Sequence, residues 1–148
     1  MAPLYLPHST VDYNHRIQSV WIKWTAHIYG NDFRETLEEG LKLLIYNKGH
    51  RWIEDQNVAV TIDGNDSHWY KNVWLQDAIN KGLKFMAIVI PKSAISRLRA
   101  QKLYLLSKEG TDVDLAQEIT LTKNIDGKLL IQYFDSTQSA EEWIQNCH

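Results

Sequence analysis

Two spacings of apolar residues take turns along this chain. A spacing of two predicts strands, and a spacing of three and four predicts helices. From Ser19 to Thr25, Val20, Ile22 and Trp24 share one face and Trp21 and Lys23 the other, so a strand is expected. Upstream, Leu4-Tyr5-Leu6 lies between Pro3 and Pro7, and Val11 and Tyr13 alternate with polar neighbours. An edge strand or extended arm fits there, because proline is tolerated at sheet edges. Gly30-Asn31-Asp32 breaks the pattern and offers a helix cap. From about Asp32 to Asn47, Phe33, Leu37, Leu41, Leu44 and Ile45 form one stripe at helical spacing. Glu35, Glu38 and Glu39 precede Lys42 and Lys48, an order that suits the helix dipole, and Gly49 is the expected left-handed residue beyond the helix end.

The centre of the chain, Arg51 to Pro91, carries the topology. A short strand at Arg51 to Glu54 is closed by Asp55-Gln56-Asn57. Val58, Val60 and Ile62 come next as an extended segment or ordered loop, and Asp63-Gly64-Asn65-Asp66 as a turn. A helix then runs to about Asn80 with Tyr70, Val73, Trp74 and Asp77 on one side. Leu83 to Ile90 is apolar on both faces apart from Lys84, as in a central parallel strand covered above and below. Strand, helix and strand make a crossover unit. After Pro91, Ser93 caps a helix from about Ala94 to Ser107 that carries Ile95, Leu98, Leu105 and Leu106. Thr111 to Asn124 is open between a turn of helix at Leu115 to Ile119 and a strand at Ile119 to Thr122. A turn at Asn124 to Gly127, a strand at Leu129 to Phe134 and a short helix capped by Asp135-Ser136 complete the chain. Ala140, Trp143 and Ile144 of that helix should face the sheet. The expected fold is α/β: one domain over residues 1–148, with a mixed, mainly parallel sheet of about five strands and about four helices.

Composition narrows the function classes. The chain has 148 residues, 44% hydrophobic, and a net charge of −2. Without a basic surplus it has no built-in attraction for nucleic acid or an anionic membrane. Lys92, Arg97, Arg99, Lys102 and Lys108 cluster, and read as a solvated helix face. The single Cys147 precludes an internal disulfide and points to a reducing compartment. MAPLYLPHS has no signal-peptide pattern, and no apolar run reaches the length of a membrane span, so a cytoplasmic location is expected by elimination. Six tryptophans serve either a core or an aromatic binding surface, with the core favoured.

No catalytic residue, metal or cofactor is assigned. There is no nucleophile elbow, P-loop or glycine-rich dinucleotide fingerprint. Asp63, Asp66 and His68 are the residue types of a metal or acid-base cluster, but their spacing lacks the order of a calcium loop, and turn and cap duty accounts for both aspartates. Asp55 should stand at the carboxyl end of a parallel strand, where open sheets place their binding crevices. The alternative is that it holds its loop by accepting from backbone amides. With Gln56, Asn57, Asp63, Asp66, His68, Trp69 and Trp74 it forms the expected binding surface, a few polar groups beside an aromatic wall. For Trp69 and Trp74 the competing reading is packing under the loop.

The order of several pieces carries a resemblance. Trp21 lies after an N-terminal strand, a helix ends in LKLLIYNKG, and WIEDQN closes a strand. SHWYKNVWLQDAINKGLKFMAIVIPK fills the centre and YFDSTQSAEEWI the C-terminus. Together they resemble a STAS-like domain of the sporulation anti-sigma-factor-antagonist type, and more closely the small stand-alone bacterial proteins of that fold. The resemblance implies a small mixed sheet, an antiparallel N-terminal strand and helices mostly on one side. Regulatory members carry a phosphorylatable Ser or Thr right after an Asp at a strand end, whereas Asp55 precedes Gln56 and Asn57 here. The function implied is that of a non-enzymatic regulatory or protein-interaction module without that phosphoswitch. The alternative is a binder of a small apolar or lipid-like ligand, with an enzyme third. The partner is an unidentified protein or small apolar ligand. A homodimer is also expected as a weak tendency, from open sheet edges and the tryptophan count.

Overall fold

The strands are β1 (Leu4–Leu6), β2 (Ser9–Asn14), β3 (Ser19–Trp24), β4 (Arg51–Asp55), β5 (Phe85–Val89), β6 (Thr122–Ile125) and β7 (Leu129–Phe134); apolar alternation marks β2 and β3, β5 is apolar throughout, and β6 is mostly polar. They appear in a computed structural model that describes residues 2–25, 31–57, 64–108 and 121–148. All seven join one sheet in the order β1-β2-β3-β4-β5-β7-β6. The expectation of about five mainly parallel strands is corrected here. β3, β4, β5 and β7 run parallel, but β1–β2, β2–β3 and β6–β7 are antiparallel. The additional strands come from hairpins at both margins of the sheet. β6 reverses into β7 through three residues, Asp126 to Lys128, between the paired Ile125 and Leu129; Asp126 (φ 54°) and Gly127 (φ 69°) are both left-handed and the Lys128 N–H donates to the Ile125 carbonyl at 2.9 Å.

The helices are α1 (Asn31–Tyr46), α2 (Gly64–Trp69), α3 (Leu75–Asn80), α4 (Lys92–Lys108) and α5 (Thr137–Gln145). A π-helical turn at Tyr70–Trp74 links α2 to α3, so residues 64–80 form one continuous helix. The extra residue in that turn rotates the remainder of the helix. Asp66, Trp74, Leu75 and Ala78 are buried, while Val73, expected on the same side as Trp74, is 54% exposed. α1 ends differently from expectation as well. Lys48, at φ 51°, takes the left-handed position expected of Gly49. Its N–H donates to the Ile45 carbonyl (3.1 Å) and the Gly49 N–H to that of Leu44 (2.9 Å), the paired bonds of a Schellman ending.

Strand alternation divides the core between the two faces of the sheet. Val20, Ile22, Trp24, Trp52, Met86, Ile88, Leu129 and Ile131 pack under Phe33, Leu37, Leu41 and Leu44 of α1, Trp74, Leu75 and Ala78, and Ile95 of α4. Ile53, Ala87 and Val89 face the other way, against Ala140 and Ile144 of α5. All six tryptophans are buried or half-buried, as core packing predicts. Trp52 meets Trp74 edge-on at 5.0 Å, Tyr70 stacks on Trp74 at 5.4 Å, and Trp24 stacks on Phe33 at 5.9 Å. Trp74 also donates its indole N–H to the Leu37 carbonyl at 3.1 Å. Gly40 makes this layer possible: a Cβ there would run into the Trp52 indole. Among the described residues, no helix is long and apolar enough to cross a membrane.

Candidate functional site at the carboxyl end of the parallel strands

Alternation along β4 decides what each residue of the expected site does. Asp55 points to the α5 face and is 7% exposed. Its Oδ1 accepts from the Asn57 backbone N–H (3.0 Å) and from Asn57 Nδ2 (2.8 Å). That Asx turn, with the Gln56 N–H donating to the Val89 carbonyl at 2.8 Å, fixes the path of the chain off the strand. Asp55 and Asn57 thus hold each other, and Asn57 remains exposed.

Glu54 points the opposite way, into the larger core, between Ile22 and Ile88 on the neighbouring strands. It is 5% exposed and receives a hydrogen bond from Gln56 Nε2. Burial pushes its pKa up, while that bond and the indoles of Trp52 and Trp24 pull it down. Neither indole N–H has a partner at full hydrogen-bond geometry among the described residues, so we assign them a weaker, longer-range pull. The Tyr70 hydroxyl closes the cluster, donating to Met86 Sδ at 3.7 Å. Desolvation first, then the charges of Glu54 and Tyr133, hold that phenol above its ordinary range. The node is an acid biased towards its neutral form, able to donate as well as accept a hydrogen bond.

The helical residues of the expected site serve mainly to fasten α2. Asp66 is 2% exposed and pairs with Arg34 Nε at 3.0 Å. The same guanidinium lies 5.1 Å over the Trp69 ring. One arginine of α1 therefore holds an acid and an aromatic of α2 together. Trp74 is a core residue. His68 is exposed and faces Asn72 Nδ2 at 3.1 Å, one turn along its own helix. Asp63 lies outside the described residues. Among those described, no group of three or more His, Cys, Asp or Glu residues is arranged to hold a metal ion.

The structure therefore brings Glu54, Gln56, Trp24, Trp52 and Tyr70 together, ties Asp55 to Asn57 and Asp66 to Trp69, and leaves His68 apart. Glu54, Arg34 and Tyr70 were not among the expected site residues. The signal for Glu54 was its parity: it alternates with Trp52 in a strand whose neighbours on both sides are apolar. Compared with known proteins, the chain matches no family model, no curated protein and no solved structure.

Proposed function

We propose that the protein is a non-enzymatic protein-interaction module of STAS-like fold, without the phosphoswitch of the regulatory members. Support for the second part is chemical, since Gln56 and Asn57 after Asp55 bear no hydroxyl. The observation that carries the first part is the surface of α4. Of its 17 residues, Ile95 is anchored in the core at 3% exposure, while Tyr104 and Leu105 are 66% and 56% exposed. A groove of about 210 Å³ runs beside them, walled by Leu98, Leu105, Leu121 and Tyr133 together with Gln101, Lys102, Thr122 and Lys123. Exposed apolar side chains rimmed by polar residues are what interaction sites present. Strands β3, β4, β5 and β7 in parallel, antiparallel neighbours and helices mostly on one face are in keeping with the fold assignment.

The test is a photo-crosslinking amino acid at position 104 in cells of the source organism, with a second at position 128 as control. A discrete protein adduct from position 104 alone, abolished by Leu105→Glu, is the expected result. No adduct, or the same adduct from both positions, overturns the reading. The buried Glu54 node favours a second reading, a small ligand bound at the strand ends. Native mass spectrometry finding one stoichiometric small molecule on the purified protein, lost in Glu54→Leu, would support it.

A further inference from the structure

The opposite end of the sheet carries a feature that neither reading uses. At the amino ends of β4 and β5 a cleft of about 460 Å³ is lined by Lys48, Arg51, Lys84, His15 and His50, with His148 and its terminal carboxylate beside them, and among the described residues no aspartate or glutamate side chain lines it. We propose that this cleft binds a small phosphate-class oxyanion, free or as the phosphate of an aryl or heterocyclic ester.

Charge is the first support. α1, α3 and α5 all end near here, since Lys48, Lys84 and Cys147, each a few residues beyond one of those helices, line the cleft. Their carboxyl ends carry about −0.5 each, roughly −1.5 together. Lys48, Arg51 and Lys84 carry three full positive charges and form no ion pair among the described residues. The helix ends and the His148 carboxylate together offset most of that charge, and an anion is favoured by the three cationic residues it would meet directly in the cleft.

Geometry is the second support. Arg51 is held by bonds from Nη1 to the Ile17 carbonyl (2.8 Å) and from Nη2 to that of Cys147 (2.8 Å). It is a fixed cation, so little conformational freedom is lost when it receives a ligand. Lys48 is the more telling residue. It occupies a left-handed position that glycine would fill with less strain, and it is one of the residues lining the cleft. A strained residue with a functional side chain is what a binding site retains at the expense of stability. The Tyr13 and Cys147 side chains do not compete as anions. Burial raises the pKa of the Tyr13 phenol and of the Cys147 thiol above their ordinary values. The Cys147 thiol donates to the Trp143 carbonyl at 3.3 Å.

The ester arm of the proposal comes from an adjoining pocket of about 210 Å³. It shares Tyr13, His15 and Asn47 with the cleft and adds Leu43, the 74% exposed Tyr46 and Asp12, whose Oδ1 accepts from the Tyr13 backbone N–H. An aromatic group attached to a phosphate in the cleft would lie against Tyr46.

The experiment is isothermal titration calorimetry of the full chain with inorganic phosphate and, separately, phenyl phosphate, in about 0.1 M salt so that distant charges are screened. Binding of both is expected, with phenyl phosphate the tighter and Tyr46→Ala weakening it alone. Lys84→Gln should weaken both about tenfold without changing the melting temperature. Lys48→Gly should weaken both by a similar factor while raising the melting temperature by about 2–4 °C. Equal affinity for the two probes, with both lysine effects retained, supports free phosphate as the occupant. No binding of either probe by the unaltered protein overturns the proposal. So does binding that both lysine variants leave unchanged. The site lies apart from the groove beside α4, so a failure here leaves the interaction proposal standing, and the reverse.

Discussion

At the scale of single residues, Glu54 is where charge and packing conflict. Its folded pKa lies above the ordinary 4.5 because burial penalises the charged form. Between those two values the folded state binds more protons than the unfolded one, so stability falls as pH rises through that window and stays lower above it. Glu54→Gln keeps an acceptor for Gln56 and removes the charge. Its melting temperature should exceed that of the unaltered protein at neutral pH, with the difference closing as the pH falls towards 4.5. A difference that does not vary with pH would mean that Glu54 is not the titrating group. Gly40→Ala tests the same core from the other side. The added methyl meets Trp52, and overpacking should cost about 1–3 kcal/mol in denaturant unfolding. Neither residue stood out in the sequence. Glu54 sits next to Asp55, and the acid at the strand end is the more conspicuous of the two because binding crevices lie there. One step of strand parity separates a residue holding a turn from one buried under two helices.

Elements were legible in proportion to how much apolar surface they bury. β4, β5, β7 and α1 each carry several core residues, and their periodicity placed them to within a residue or two. β6 buries little and is polar along Thr122-Lys123-Asn124, so pattern alone left its region open. Residues 111–120, where helix and strand competed, lie outside the described residues. The π turn was illegible for a different reason. It inserts a residue without changing composition, and only the stack of Tyr70 on Trp74 and the exposure of Val73 reveal it. The attachment of α2 to α1 depends on a pair 32 residues apart in sequence, Arg34 and Asp66. Arg34→Met should cost about 1–2 kcal/mol, since it withdraws one partner from a buried carboxylate and the cation from the Trp69 face. Amide exchange should quicken in residues 64–69 more than in α5. Uniform quickening across both helices would show that the pair stabilises the whole domain and not that attachment.

At the scale of the whole molecule, β1 and β6 are the edges of the sheet among the described residues, and both are poor templates for pairing. β1 is only 3 residues long and lies between prolines, and β6 presents Lys123. Sedimentation equilibrium should therefore show a monomer at micromolar concentration, with any self-association confined to the high micromolar range. If a dimer does form, Leu105→Glu should dissolve it if it uses α4, and Tyr5→Lys if it uses the β1 edge. The two unequal cores bear on something else. The larger holds Trp52 in edge contact with Trp74, and the smaller, across the sheet, holds Trp143 against Phe134 at 5.6 Å. Two indoles at 5.0 Å and a fixed angle couple their electronic transitions, so that pair should dominate the near-ultraviolet circular dichroism. Trp143 stands outside the pair and contributes to the fluorescence emission separately. The protein thus contains an optical reporter on each side of its sheet, and no dye is needed to ask whether the two layers melt together. If the dichroism of Trp52 and Trp74 and the emission change suppressed by Trp143→Phe share one midpoint in urea, the sheet and both its helical layers unfold as a single cooperative unit.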